Sequence, residues 1–337
     1  MEVHSMTTNT FPRLIADIGG TNARFSIEVK PYQYESIQVL SCEKYETLAT
    51  AALAYLESIK MVDKVLHAAI ALPTPIVDDV LHMVNSPWHR QLISKTKKDM
   101  HMDNVLFLND FHALALSMPH INKNNLRRIG GTDEPDPKKP MAIIGPGTGL
   151  GMATLIRHPL GEYLAIPAEG GRSSFSPVNE EEVELWKFAH RRFHHVSVER
   201  FICGPGLQLI YEGLCDISGK TIETTIPTPA EITERGANGS DFTCGRTLEV
   251  FCRMLGTVAS NLAVIVNAFG GVYIGGGIIP KILPYFINSD FRGRFEAKGR
   301  YHAYLAKMPV YVIMDQFPAF LGASYALDIY LTRGYVP

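Results

Sequence analysis

The sequence predicts an α/β fold. Strand-like apolar runs alternate with helical text along the chain, and two of those runs turn back on themselves through glycine-rich loops. The first, "RLIADIGGTNARFSIEV" (13–29), reads as strand, glycine turn, strand. "DKVLHAAIALPTP" (63–75) is a buried strand ending at prolines, and "NVLFLNDF" (104–111) is another, followed by the helix "HALALSM". A polar segment rich in Pro, Lys and Asp (119–140) reads as an inter-domain loop or excursion. "MAIIGPGTGLGMATLIRH" (141–158) repeats the strand–turn–strand unit with Gly and Thr again at the turn, so two similar halves are expected. "NEEEVELWKFAHRRF" (179–193) is an amphipathic helix. The chain closes with a strand, "MPVYVIM" (308–314), and a helix, "AFLGASYALDIYLTRG".

At 337 residues the chain suits two domains. A net charge of −2 excludes a global basic field that would recruit nucleic acid or an acidic membrane, and the short basic runs at 95–98 and 122–128 read as solvated surface. Five cysteines with no C-x-x-C pair argue against a disulfide framework or zinc ribbon and for a reducing cytoplasm. The first residues, "MEVHSMTTNTFPR", lack the pattern of a signal peptide and read as a frayed leader, with Met6 an alternative start. Residues 257–280 carry no charge and are long enough to span a bilayer. Five glycines interrupt them, however, and a buried helix, turn, strand and glycine loop fit better than membrane insertion.

Neither glycine loop matches G-x-x-x-x-G-K-[ST], and neither matches G-x-G-x-x-G opening a helix. What they offer is backbone amides with no side chain in the way, so a phosphate can approach closely. Thr21 and Thr148 add hydroxyls, and Asp17, at the end of the first strand, is placed to hold Mg²⁺ directly or through water. Each loop alone also reads as a tight β-turn. Together with "GGGI" (275–278), they read as a nucleotide clamp: two hairpins around the phosphates, a third loop facing the adenosine.

"ADIGGTNARF" (16–25), "LNDF" (108–111), "GPGTGLG" (145–151), "EGG" (169–171), "HVSVERFICGPGL" (195–207) and "FGGVYIGGGIIP" (269–280) occur in an order and spacing that resemble bacterial glucokinases, ATP-dependent hexose kinases of the actin-like ATPase superfamily. The resemblance spans roughly residues 13–330. It implies an actin-like (ribonuclease H-like) fold with a cleft between two domains: a small one of 13–117 plus 313–337 and a large one of 118–312. It also implies glucose and ATP as substrates, Mg²⁺ as cofactor, a cytoplasmic enzyme, and a homodimer as a common assembly state, of which the sequence shows no independent sign. By position, Ala16, Asp17, Ile18, Gly19, Gly20 and Thr21 match the first phosphate segment. Gly145, Gly147, Thr148 and Gly149 match the second, and Gly275, Gly276 and Gly277 the adenosine segment. Asn85, Asn109, Asp110, Glu169 and Glu199 match sugar-binding positions, with Asp110 the catalytic base. The cysteine cluster of the related repressor/kinase group is missing.

The chemistry suits these residue types. Phosphoryl transfer to a sugar alcohol needs a carboxylate to take the hydroxyl proton and donors to spread the phosphate charge. Adjacent sugar hydroxyls are well matched by carboxylates and amides. Each position also has a structural reading: Asp110 as a helix N-cap, Glu199 as an exposed first-turn acid behind a Ser197 cap, His194 and His195 as a helix end and its connection, Trp88 as packing for the sugar loop. Glu169, beside two glycines, has no obvious packing role. After "EGG" the family usually has histidine; here Arg172 stands there, able only to donate, with Glu169 expected to balance its charge. Hexose selectivity therefore rests on Arg172. A kinase for another hexose, a non-catalytic sugar or nucleotide sensor, and a transcriptional regulator are the alternatives. Intact Asp110 and phosphate loops argue against the second, and about a dozen residues before the first strand leave little room for the helix-turn-helix of the third.

Overall fold

The computed structural model describes residues 10–76, 78–83, 86–222 and 225–337. Asn85 therefore lies outside the described residues, as do Met6 and most of the leader. The chain divides into two compact units, one running up to Ile121 and including Gln316–Pro337, the other Asn122–Asp315.

The first unit is built on strands β1 (Arg13–Ile18), β2 (Asn22–Lys30) and β3 (Gln33–Ser41), helix α1 (Leu48–Ser58), strands β4 (His67–Leu72), β5 (Val80–His82) and β6 (Arg90–Leu92), helix α2 (Ile93–Asp99), strand β7 (Asn104–Asn109) and helix α3 (Asp110–Ser117). Its main sheet has the order β3-β2-β1-β4-β7. β1, β2 and β3 form an antiparallel meander, while β1, β4 and β7 run parallel. Alternate residues divide the faces. Leu14, Ala16, Ile18, Ala68 and Ile70 join Ala52 and Tyr55 of α1 in one core. The C-terminal helix packs against β1, β4 and α3. A Cβ on Gly322 of that helix would stand 1.7 Å from the Ala113 carbonyl, so glycine is what lets the two backbones meet.

The second unit contains β8 (Leu126–Gly130), β9 (Met141–Pro146), β10 (Leu150–Arg157), β11 (Tyr163–Ala168), α4 (Glu180–His190), α5 (Gly204–Ile217), α6 (Pro229–Ala237), α7 (Phe242–Val266), β12 (Val272–Ile274), α8 (Leu283–Ile287), α9 (Phe291–Glu296), α10 (His302–Lys307) and β13 (Val310–Ile313). The C-terminal helix of the first unit, α11 (Pro318–Arg333), ends at Gly334 in the left-handed conformation usual for a helix stop. The second sheet is ordered β11-β10-β9-β12-β13-β8. Apart from the antiparallel edge strand β8, it repeats the first: an antiparallel meander, then two strands parallel to its first member. The recurrence of glycine turns in the sequence thus reflects a repeated sheet.

Two sequence readings need correction, and a third is borne out. The polar segment 119–140 is not all loop, because β8 lies within it. β8 is a half-buried edge strand that needs no apolar run. The amphipathic helix ends at His190 rather than 193. The apolar stretch 257–280 does hold the end of a helix, a left-handed stop at Asn267, β12 and a glycine loop. That helix, α7, begins fifteen residues earlier; it is long and apolar enough to cross a membrane, but most of that span is buried inside the protein.

Candidate active site

In the first unit the carboxyl ends of three neighbouring parallel strands carry the candidate residues. Asp17 lies opposite Ala71 in register, and Leu72 opposite Asn109, so the β1–β2 turn and the β7–α3 junction emerge from the same end of the sheet. Ligands of open α/β sheets bind at such ends. Ala16 and Ile18 bury their side chains in the core, so only their backbone is left to face a ligand. The turn closes with Gly19 N–H donating to the Asn22 carbonyl at 2.8 Å, and Thr21 is exposed.

Asp17 is half-buried, and burial pushes its carboxyl above the usual carboxylate range. Arg24 opposes this through an ion pair from Nη1 to Oδ2 at 3.0 Å. Arg24 sits directly across the hairpin from Asp17. It was missed in the sequence, although hairpin register alone pairs the two.

The β7–α3 junction corrects one expectation. The N-cap of α3 is Asn109, not Asp110: its Oδ1 accepts from Phe111 N–H at 2.9 Å and His112 N–H at 3.2 Å. Asp110 is the first helical residue, where the helix dipole favours a carboxylate, and its Oδ1 accepts from Phe111 N–H at 2.9 Å. Asn109 Nδ2 donates to the Thr74 carbonyl at 3.4 Å. Trp88 is buried and donates its indole N–H to the Tyr45 carbonyl at 2.9 Å, a packing role.

In the second unit the β9–β10 turn is exposed at Thr148, while Gly145 lies inside β9 itself. Three other segments brace it. The Gly147 carbonyl accepts from Gly204 N–H at the start of α5 (2.8 Å). Gly275 N–H donates to the Ile144 carbonyl (2.8 Å), and Gly276, at φ +79°, lies so close that a Cβ would stand 2.3 Å from the Pro146 carbonyl. Glu199 supplies the third brace, its Oε2 accepting from Leu150 N–H at 2.8 Å. Among the described residues, adjacent ones aside, no atom comes within 4 Å of a Cβ placed on Gly147 or Gly277.

Glu199 is therefore not the exposed first-turn acid of its structural reading, and Ser197 makes no side-chain cap. Its Oε1 accepts from Arg172 Nη1 at 2.6 Å. This also corrects the expectation for Arg172, whose charge is balanced by Glu199 and not by Glu169. Glu169 is exposed, at the head of the short turn Gly170–Arg172, and its carbonyl accepts from Arg172 N–H at 2.9 Å. Cβ atoms on Gly149 and Gly171 would stand 2.6 Å from Glu199 Oε2 and 2.4 Å from the Leu150 carbonyl. The two glycines thus let the "EGG" turn, Glu199 and the β9–β10 turn close on one another. Glu169, Arg172, Glu199 and Gly147–Gly149 are brought together, with Gly275–Gly277 against the same hairpin. His195 bonds Ser174 Oγ at 3.0 Å through Nε2.

All five cysteines are free and buried. Burial pushes the Cys203 and Cys244 thiols up to about 11 and Cys252 up to about 12, so they are unreactive core residues.

A family model described as Glucokinase matches residues 14–329. The glucokinase of Neisseria meningitidis serogroup B is 45% identical over 321 residues, covering 95% of this chain and 96% of the relative. That of Helicobacter pylori J99 is 44% identical over 330 residues, covering 96% and 98%. Among solved structures, a glucokinase from an Antarctic psychrotroph superposes with a TM-score of 0.82 at 29% identity, covering 94% of this chain and 98% of that one. A Streptomyces griseus ROK-family glucokinase, solved with glucose and AMPPNP, shares the fold at a TM-score of 0.63 and 15% identity, covering 93% and 98%. The sheet order, the braced glycine turns and these likenesses converge: the chain belongs to the glucokinase family.

Proposed function

We propose that this protein is an ATP-dependent glucokinase that transfers the γ-phosphate of ATP to the 6-hydroxyl of glucose, giving glucose 6-phosphate and ADP. The observation that carries the reading is the pairing, within one unit and at one end of one sheet, of a carboxylate at the β7–α3 junction with a glycine hairpin at the end of the parallel strand β1, one strand (β4) away. Asp110 takes the proton of the 6-hydroxyl as its oxygen bonds to the γ-phosphorus and the bond to the β,γ-bridging oxygen breaks. Asn109 donates to a sugar hydroxyl through Nδ2. In the second unit Glu169 and Glu199 accept from sugar hydroxyls; Asn85, outside the described residues, is assigned to the sugar by its place in the sequence alone. The backbone amides of Gly20–Thr21 and Thr148–Gly149 meet phosphate oxygens, while Gly19 N–H and Gly147 N–H close their own turns, and Gly275–Gly277 line the approach of the adenosine.

Mg²⁺ fits Asp17. No group of three metal-ligating side chains occurs among the described residues, and one carboxylate beside phosphate oxygens and water is how this ion is commonly held. When bound, it neutralises charge developing on the transferred phosphate. Burial raises the Asp17 pKa, and the ion pair with Arg24 works against that rise, favouring the charged form that would meet the ion. The free, buried cysteines support a reducing, cytoplasmic setting.

A second reading, a kinase for another hexose, is favoured by Arg172 standing where the family usually has histidine. ADP release measured over glucose, mannose, fructose, glucosamine and N-acetylmannosamine decides between them. Glucose is expected to give the highest kcat/KM, and no turnover on any hexose with Mg-ATP would sink the kinase reading.

A further inference from the structure

Beside the "EGG" turn, the second unit contains a cavity of ≈ 370 Å³ whose lining includes Arg172, Arg192, Arg200, His194, His195 and Phe193. Its volume lies within the about 300–1,000 Å³ usual for small-molecule sites. No carboxylate lines it. Two of its arginines have acidic partners outside the lining: Arg172 pairs with Glu199 and Arg192 with Glu212. Arg200 has no acidic partner among the described residues; its guanidinium lies over the Phe193 ring at 3.9 Å. Stacking fixes the plane of a guanidinium while leaving its edge N–H groups available to an oxyanion. A second cavity of ≈ 390 Å³ shares His194 and His195 and adds Ser174 and His190.

We propose that this cavity binds the phosphate group of a small molecule, with Arg200 as its principal charge and Arg172 shared between that phosphate and Glu199. A tetrahedral dianion suits several guanidinium forks converging with imidazole N–H donors better than a single carboxylate would. Among the described residues only the 2.6 Å pair to Glu199 ties the exposed Arg172 side chain, so an anion in the cavity competes with Glu199 for it. Occupancy would then loosen a carboxylate that also braces the β9–β10 turn, and sugar affinity would fall. This last consequence rests on the sugar-kinase reading; binding itself does not.

The test is a titration of the full chain with inorganic phosphate and, separately, glucose 6-phosphate, followed through the imidazole resonances of His194 and His195. Saturable shifts with either probe are expected, tighter binding of the ester identifying a phosphosugar and equal binding a free phosphate. Arg200→Gln should weaken binding by about tenfold or more, and Arg200→Lys, which keeps the charge but loses the stacked fork, should restore it only in part. No saturable shift with either probe, or unchanged affinity in Arg200→Gln, overturns the site. In turnover assays, inorganic phosphate should raise the sugar KM of the wild type and not that of Arg200→Gln, whose basal kcat stays normal. A KM rise that persists in Arg200→Gln arises at the reaction centre and overturns the sharing of Arg172, as does a KM that never moves. A protein inactive on every hexose fails the kinase reading yet leaves the imidazole titration fully informative.

Discussion

The two glycine hairpins look alike in sequence and are held by different means. The β1–β2 turn is held within its own three-stranded meander: Gly19 N–H donates to the Asn22 carbonyl, the Thr21 carbonyl accepts from Cys42 N–H at 2.9 Å just past β3, and the carboxylate beside it, Asp17, is partnered by Arg24 from the opposite strand of the same hairpin. The β9–β10 turn has no acid of its own at that point. Its carboxylate, Glu199, arrives from 49 residues away, and Gly204 and Gly276 press in from two further segments. One phosphate loop is positioned by local geometry, the other by tertiary packing. Disturbance of the first should stay local, whereas disturbance of the second should reach the sugar residues.

The largest effect belongs to the proposed base of the first unit. Asp110→Ala should lower kcat by about 10²–10⁴-fold, the usual contribution of a general base, with the ATP KM little changed; near-normal turnover would remove Asp110 from that role. Next, Gly149→Ala places a methyl 2.6 Å from Glu199 Oε2. It should raise the sugar KM by about 10- to 100-fold, the scale of a lost charge-assisted hydrogen bond, although the change lies in a nucleotide loop. If only the ATP KM moves, the coupling through Glu199 does not exist. Gly147→Ala and Gly277→Ala meet no atom of the described residues, adjacent ones aside, within 4 Å. Stability should stay within about 0.5 kcal/mol while the ATP KM rises, as thermal melts and initial rates will show.

The locally held loop has its own test. Arg24→Ala removes the group that opposes burial at Asp17, so the Asp17 pKa, already raised, should rise further. Asp17 then takes up its proton at a higher pH on acidification. The acid limb of the kcat/KM profile should move upward in pH, with sugar KM on the alkaline side unaltered. Smallest of all, Asn109→Ala deletes the cap of α3 and should cost about 1 kcal/mol in chemical denaturation.

This contrast also explains what the sequence could disclose. The repeated strand–turn–strand units, and with them the repeated sheet order, were legible because each hairpin closes within a short window of alternating residues. Arg24 was equally available from register. The cap was assigned to the wrong member of "ND" because both residues cap helices well, and one position of backbone phase decides between them. The tie between Glu199, Arg172 and Leu150 joins three segments distant in sequence, so no local pattern marks it. The edge strands β8 and β11 carry little buried apolar surface, leaving periodicity nothing to report.

The cap on α3 carries one more consequence. With Asn109 Oδ1 turned to two helix N–H groups and one N–H of Nδ2 given to the Thr74 carbonyl, the amide has only its second N–H left to offer, as a donor. A hydroxyl that meets Asn109 must accept from it, and its own proton needs another acceptor, with the neighbouring carboxylate of Asp110 close at hand. Helix initiation thereby dictates the polarity of substrate recognition. Asn109→Asp would preserve the helix start and invert that polarity, giving a well-folded protein with a reversed hydrogen-bond grammar toward its sugar.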